Sequence, residues 1–159
     1  MIAETTLINT EQSTLRTVLE LATREVFDLM VGTSLEVRSK IDPAAVLDLT
    51  AMIGLAGSLC GVISVRCSSE AARLIAAKML GIAVSEADQS MRDAIAEIVN
   101  MVAGNFKSKL SGSNHCMLSI PTVITGADYQ LCSLDVGQIV QLFVVFDKYP
   151  ISVSLELHS

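Results

Sequence analysis

No stretch of this 159-residue chain reaches the roughly 18 consecutive apolar residues of a membrane span, although 51% of its residues are hydrophobic. Asp48, Arg66, Glu70, Arg73 and Lys78 interrupt its most apolar region. The opening Met1-Ile-Ala-Glu-Thr-Thr lacks the basic and apolar segments of a secretory leader, so a cytoplasmic location is expected. A concentrated basic surface is missing too. With a net charge of -6 and its Lys and Arg scattered, the chain is not expected to bind nucleic acid. Its four cysteines, Cys60, Cys67, Cys116 and Cys132, show neither C-x-x-C nor the paired Cys/His spacing of a zinc site and read as reduced core thiols. His115 precedes Cys116, but neighbours on a strand point to opposite faces, which separates thiol from imidazole. His158 reads as a solvated tail residue. The Gly57–Gly61 stretch has no G-K-[ST] and no helix directly after it, so it reads as a tight turn and not a phosphate cradle. No ligand cluster for a metal is evident, and no cofactor is expected on this chain.

What the chain does have is well punctuated. Residues 10–30 read as a helix with Leu15, Val18, Leu19, Leu21, Ala22, Val26 and Leu29 as its apolar face and Gly32 as its stop. Asp42-Pro43 marks a turn. Residues 51–56 and 61–67 form a hairpin candidate, and Ser69 is expected to cap a helix over 70–80 that closes at Gly81. A longer helix follows. Ser85 is its expected N-cap, Glu86 and Asp88 favour the positive end of its dipole, and Lys107 and Lys109 favour the negative end before Gly112. Three further strands are expected over 116–125, 139–147 and 151–157, with turns at Gly126-Ala-Asp128 and Lys148-Tyr-Pro150. Helix, strands, two helices, then strands predicts one α+β domain over residues 1–159, its long helices packed on a largely antiparallel sheet.

The long helix carries the chemistry. At ~100° per residue, Asp93, Glu97, Asn100 and Gly104 fall on one face, while Met91, Ile95, Ile98, Val99, Val102 and Phe106 form an apolar stripe on the other. The stripe can be buried, and the polar row then faces outward. Glu97 and Asn100 stand one turn apart, so a carboxylate for a cation and an amide for hydrogen bonds can reach one external target together. Gly104 is disfavoured in a helix interior by roughly 1 kcal/mol relative to Ala, which suggests a surface that must admit a partner closely.

This stretch resembles the CheX branch of the CheC/CheX/FliY group, chemotaxis phosphatases that remove phosphate from the response regulator CheY. The group's mark is an acidic or Ser residue followed by E-x-x-N on an exposed helix, and Asp93, Glu97 and Asn100 match it. The run Asn100-Met-Val-Ala-Gly-Asn-Phe-Lys-Ser-Lys-Leu110 is similar to CheX rather than to CheC, which usually has a Pro after the motif. The resemblance implies hydrolysis of the aspartyl phosphate of a CheY-like regulator in a two-component pathway. Glu97 would pair with the regulator's Lys, Asn100 would orient the attacking water, Asp93 would tune the docked rim, and Mg²⁺ would come from the regulator. A homodimer is also implied. Two pseudo-symmetric halves are a further implication, and an offset of 77 pairs Leu15 with Arg92, Val18 with Ile95, Glu20 with Glu97, Leu21 with Ile98 and Thr23 with Asn100. On that alignment the first copy has Thr23 in place of a carboxamide and is a structural relic. Two other readings stay open: a catalytically silent adaptor of the flagellar-switch type, and a dimerisation domain in which the polar row is incidental.

Overall fold

The computed structural model describes residues 2–110, 115–127, 129–130, 134–135 and 137–158, the first nine by backbone alone. Gly112, Cys132 and Asp128 of the expected Gly126-Ala-Asp128 turn lie outside them. The chain runs α1 (Ile2–Val26), a π-helical turn (Phe27–Val31), β1 (Glu36–Arg38), β2 (Leu49–Ala56), β3 (Gly61–Cys67) and α2 (Ser69–Leu80). A short 3-10 turn (Val84–Glu86) leads to α3 (Met91–Lys109), β4 (Met117–Leu118), β5 (Thr122–Thr125), β6 (Gln138–Phe146) and β7 (Tyr149–Leu157). The strands form one antiparallel sheet in the order β1-β6-β7-β3-β2, with β4 and β5 both on the outer edge of β2. This is the expected α+β arrangement.

Two halves are visible in that order. The hairpins β2–β3 and β6–β7 meet through β3 and β7 at the centre. Each half then lends its first strand to the other: β1 pairs with β6, and β4 and β5 pair with β2. Alternation along the strands fixes the faces. Leu49, Ala51, Ile53, Ile63, Val65, Leu142, Val144, Val153 and Leu155 all point to the helices and are buried. Ser64 and Ser154 share a hydrogen bond of 2.6 Å on the opposite face. Beyond the short β1, Gln12 donates to the Ile139 carbonyl at 2.9 Å and Arg16 donates to that of Gln141, so α1 satisfies backbone groups that β1 leaves open on β6.

The helices are paired by burial at an offset of 76, not 77. Leu15, Leu19, Ala22, Thr23, Val26 and Phe27 are buried on α1 and its π-turn, as are Met91, Ile95, Ile98, Val99, Val102 and Ala103 on α3. The counterparts of Glu97 and Asn100 are therefore Leu21 and Arg24, and the pairing with Glu20 and Thr23 is corrected. Thr23 is fully buried and donates to the Leu19 carbonyl at 2.7 Å. Glu20 pairs with Arg24 at 3.0 Å. One residue of offset turns a helix by about 100°, enough to carry Thr23 from the outer face into the core.

Other boundaries move for local reasons. Helix α1 begins at Ile2 rather than at 10, and Leu21 and Leu29, expected in its apolar face, are 46% and 78% exposed. Ser68, not Ser69, caps α2, accepting from the Ala71 amide at 3.1 Å, while Ser69 donates to Asp48. Ser85 caps nothing: it sits in the 3-10 turn, and Ser90 precedes α3 without a side-chain cap. Ala87 is buried in that connection, and successive tight turns, Ala87 to Val84 and Ser90 to Ala87, delay the helix to Met91. The expected strand 116–125 is broken by a bulge: Leu118 to Thr122 takes four steps against three on β2, from Leu55 to Met52. Pro121, with no N–H, stands inside it. The β6–β7 turn lies at Asp147-Lys148 rather than at 148–150, with Asp147 at φ 56° and Phe146 opposite Tyr149. Strand β1 has no counterpart among the elements expected from the sequence.

Gly57 shows why the hairpin turn is tight. Its φ is +116°, and a Cβ there would lie 2.1 Å from the His115 carbonyl oxygen, which excludes any side chain. Among the thiols, Cys67 and Cys116 are buried, whereas Cys60 in this turn is exposed and so is no core residue. His115 and Cys116 do separate, the imidazole exposed and the thiol buried, and His158 is exposed. Burial, assisted by the nearby Asp48 charge, pushes the Cys67 thiol up to about 12. At mildly alkaline pH a thiol reagent should therefore modify Cys60 in the native protein and reach Cys67 only after unfolding. Peptide mapping of the labelled protein checks this, and native labelling of Cys67 would contradict the burial.

Candidate functional site

Helix α3 is held on three sides. It packs against α1, α2 and the sheet, with Ile95, Ile98, Val99, Val102, Ala103 and Phe106 fully buried. That stripe fixes the helix's rotation, because turning it by even one residue would expose several aliphatic side chains worth about 1.5–3 kcal/mol each. The opposite face must then point outward. Asp93 and Glu97 are exposed there, and Asn100 and Gly104 are half-buried where α1 comes alongside. The four residues share one face as expected, while Asn100 is more sheltered than the exposed position expected of it.

The two asparagines of α3 differ in what they bond. Asn105 donates to the Glu25 carboxylate at 2.8 Å and to the Ala22 carbonyl at 3.3 Å, tying α3 to α1. Lys109 adds an ion pair with Glu25 at 2.8 Å. Asp93, Glu97 and Asn100 have no side-chain hydrogen bond or ion pair to any described residue. Their polar groups are free for something outside the chain.

A groove of about 560 Å³ opens beside them, lined by Glu25, Val26 and Leu29 of the first helical segment, Asn100, Met101, Gly104, Asn105 and Ser108 of α3, and Leu118 of β4. The α1 contribution was invisible in the sequence, since it depends on how α1 crosses α3. The π-turn helps to build it. Phe27 and Val31 are buried and anchor the turn, and Leu29 between them projects outward. A Cβ added to Gly104 would meet nothing within 4 Å, so no neighbour among the described residues requires glycine there. Among the described residues no group of three or more His, Cys, Asp or Glu could hold a metal, and no helix is long and apolar enough to cross a membrane.

A family model described as chemotaxis phosphatase CheX matches residues 49–144, a span that includes the whole polar row. The chain belongs to the CheX family. The CheY-P phosphatase CheX of Thermotoga maritima is 34% identical over 110 residues, which are 68% of this chain and 65% of that protein's length. In three dimensions the CheX of Vibrio vulnificus superposes with a TM-score of 0.78 at 21% identity, covering 92% of this chain and 98% of the other. A solved complex of CheX with CheY, beryllofluoride and Mg²⁺ from Borrelia burgdorferi gives 0.71 at 19% identity over 90% and 97% of the two chains. At such identities the structural likeness speaks for the CheX fold.

Two outcomes follow from the groove. Glu25 accepts hydrogen bonds from Lys109 and Asn105, and the Lys109 charge adds to them, so its carboxyl titrates below the ordinary carboxylate range. A depressed carboxylate stabilises the fold above its unfolded pKa, and that contribution disappears as pH falls through the folded value. Lys109→Ala should raise the Glu25 pKa toward the ordinary range, as followed by NMR titration; an unmoved value would dismiss the clamp. Gly104→Ala should stabilise the protein by roughly 1 kcal/mol in thermal unfolding, because it removes a helix-breaking residue without a clash. A destabilised variant would show that space to be needed internally.

Proposed function

We propose that this chain hydrolyses the aspartyl phosphate of a CheY-like response regulator, with Glu97 and Asn100 entering the regulator's active site. The observation that carries the reading is the polar row itself: three side chains without partners among the described residues, on a helix locked in rotation by a fully buried opposite face. Family membership and the CheY-P phosphatase name of the Thermotoga maritima relative support it. So does the Borrelia burgdorferi complex, in which a CheX of this fold is bound to CheY with beryllofluoride and Mg²⁺.

The regulator brings the phospho-Asp, a Lys and Mg²⁺, the metal neutralising charge on the phosphoryl oxygens. This chain supplies placement. Glu97 pairs with the regulator's Lys and fixes the docking register. The Asn100 side-chain carbonyl accepts a hydrogen bond from the attacking water and holds its lone pair toward phosphorus. The water oxygen bonds to phosphorus as the bond from phosphorus to the Asp carboxylate oxygen breaks; the regulator's Asp is left as a free carboxylate, and both water protons depart with the phosphate as dihydrogen phosphate. A neutral amide suits this position because it adds no repulsion to an anionic phosphoryl group. Asp93, one turn before Glu97, tunes the rim of the docked surface. The proposal also takes in a cytoplasmic setting and a homodimer, the latter testable by light scattering.

Asn100→Ala should slow regulator dephosphorylation by roughly 100-fold, the scale of a lost positioning contact, while affinity for the phosphorylated regulator stays near wild type. Glu97→Ala should lower affinity and turnover together, since removing one partner of a desolvated charge pair costs roughly 2–5 kcal/mol. Phosphate-decay time courses and binding to the beryllofluoride-loaded regulator measure both. Full activity in Asn100→Ala would end the water-positioning mechanism and favour the silent adaptor.

A further inference from the structure

We infer that the groove between the end of α1 and α3 is a specificity pocket for an aliphatic side chain of the regulator, with Leu29 as its outer wall; this rests on the regulator being the partner.

Three observations lead there. First, Leu29 is 78% exposed at the crest of a π-helical turn, a form that is rare in itself and frequently marks functional sites. The turn is anchored by buried Phe27 and Val31, so Leu29 is held outward by the fold. Second, Gly104 lines the groove without a side chain, and no described neighbour needs the space a Cβ would take. Third, apart from Asn100, the polar rim is already self-satisfied. Glu25 is bound by Lys109 and Asn105, and the Ser108 hydroxyl donates to the Asn105 carbonyl at 2.9 Å. What remains for an occupant is the apolar floor of Val26, Leu29, Met101 and Leu118.

Continuity with the polar row selects the occupant. Asn100 and Gly104 line this groove and also belong to the face that carries Glu97, so a side chain seated here would touch the residue that orients water. A regulator delivering its phospho-Asp to Asn100 brings its own surface over Leu29 at the same moment. A second copy of this chain seated in the groove would cover Asn100 instead. Glu25 and Lys109 already neutralise each other, so a charged side chain seated here would lose hydration with no free counter-ion to meet.

The test measures wild type, Leu29→Ser, Leu29→Met and Gly104→Ala against each CheY-like regulator of the same genome, loaded with beryllofluoride and Mg²⁺ for binding and phosphorylated for turnover. Leu29→Ser should weaken binding about tenfold, equivalent to about 1.4 kcal/mol, and raise KM with kcat unchanged at saturation. Leu29→Met should restore both. Gly104→Ala should bind more weakly although it melts at a higher temperature, a combination that a purely structural role does not produce. Wild-type affinity in Leu29→Ser and Gly104→Ala, alongside normal wild-type hydrolysis, would overturn the pocket and leave the phosphatase reading intact. A lost binding step in Leu29→Ser, with a wild type that binds but does not hydrolyse, would keep the pocket and overturn the activity. A change of oligomeric state in Leu29→Ser with unaltered KM would assign the groove to a second copy and overturn the inference.

Discussion

Everything at the outer face depends on the seating of α3. Its aliphatic stripe is fully buried against α1, α2 and the sheet, and a helix buried along one whole side cannot rotate without exposing core side chains. The orientation of Asp93, Glu97 and Asn100 is thus a consequence of hydrophobic packing behind them. No hydrogen bond within the described residues holds these three polar groups, which keeps them available. The fold supplies rigidity from behind and chemistry in front, a division suited to a residue whose proposed task is to place a water molecule.

The clamp of Glu25, Asn105 and Lys109 adds a second constraint at the same level. It joins the last turns of α1 and α3 through one carboxylate. The apolar contacts set the rotation of α3, and this polar knot sets how closely α1 approaches, which defines the groove. The shift of the Glu25 pKa below the ordinary range is the electrostatic mark of that knot. Its ion pair is solvent-facing, so its value lies more in geometry than in stability.

Much of this was legible in the sequence where local pattern decides structure. The apolar stripe of α3, the tight turn between β2 and β3 and the stop at Gly81 all depend on residues within a few positions of one another. What escaped depends on distant partners. Strand β1 has three residues and no alternation long enough to read, and it exists because Phe143–Val145 lie beside it. The offset between the two helices differs by one residue from the one the sequence suggests, since α1 and its π-turn carry leucines at 15, 19, 21 and 29 and only tertiary packing chooses which are buried. The same ambiguity hid Leu29. At Gly104 the sequence suggests a surface open to a partner, but the other wall of the groove beside it comes from α1, some eighty residues away in the chain (Glu25 to Asn105).

The exchange of first strands between halves has a consequence for what kind of object this molecule is. Neither half can complete a sheet from its own residues, because β1 is needed by β6, β4 and β5 are needed by β2, and the centre is the seam between β3 and β7. In polymer terms the pairing is arranged like a domain swap, with both halves carried on one chain. The α2 segment acts as the tether, and it converts what would be a bimolecular encounter into an intramolecular one at the high effective concentration of a short linker. A pair of free chains would lose its shape on dilution. This one carries its partner with it.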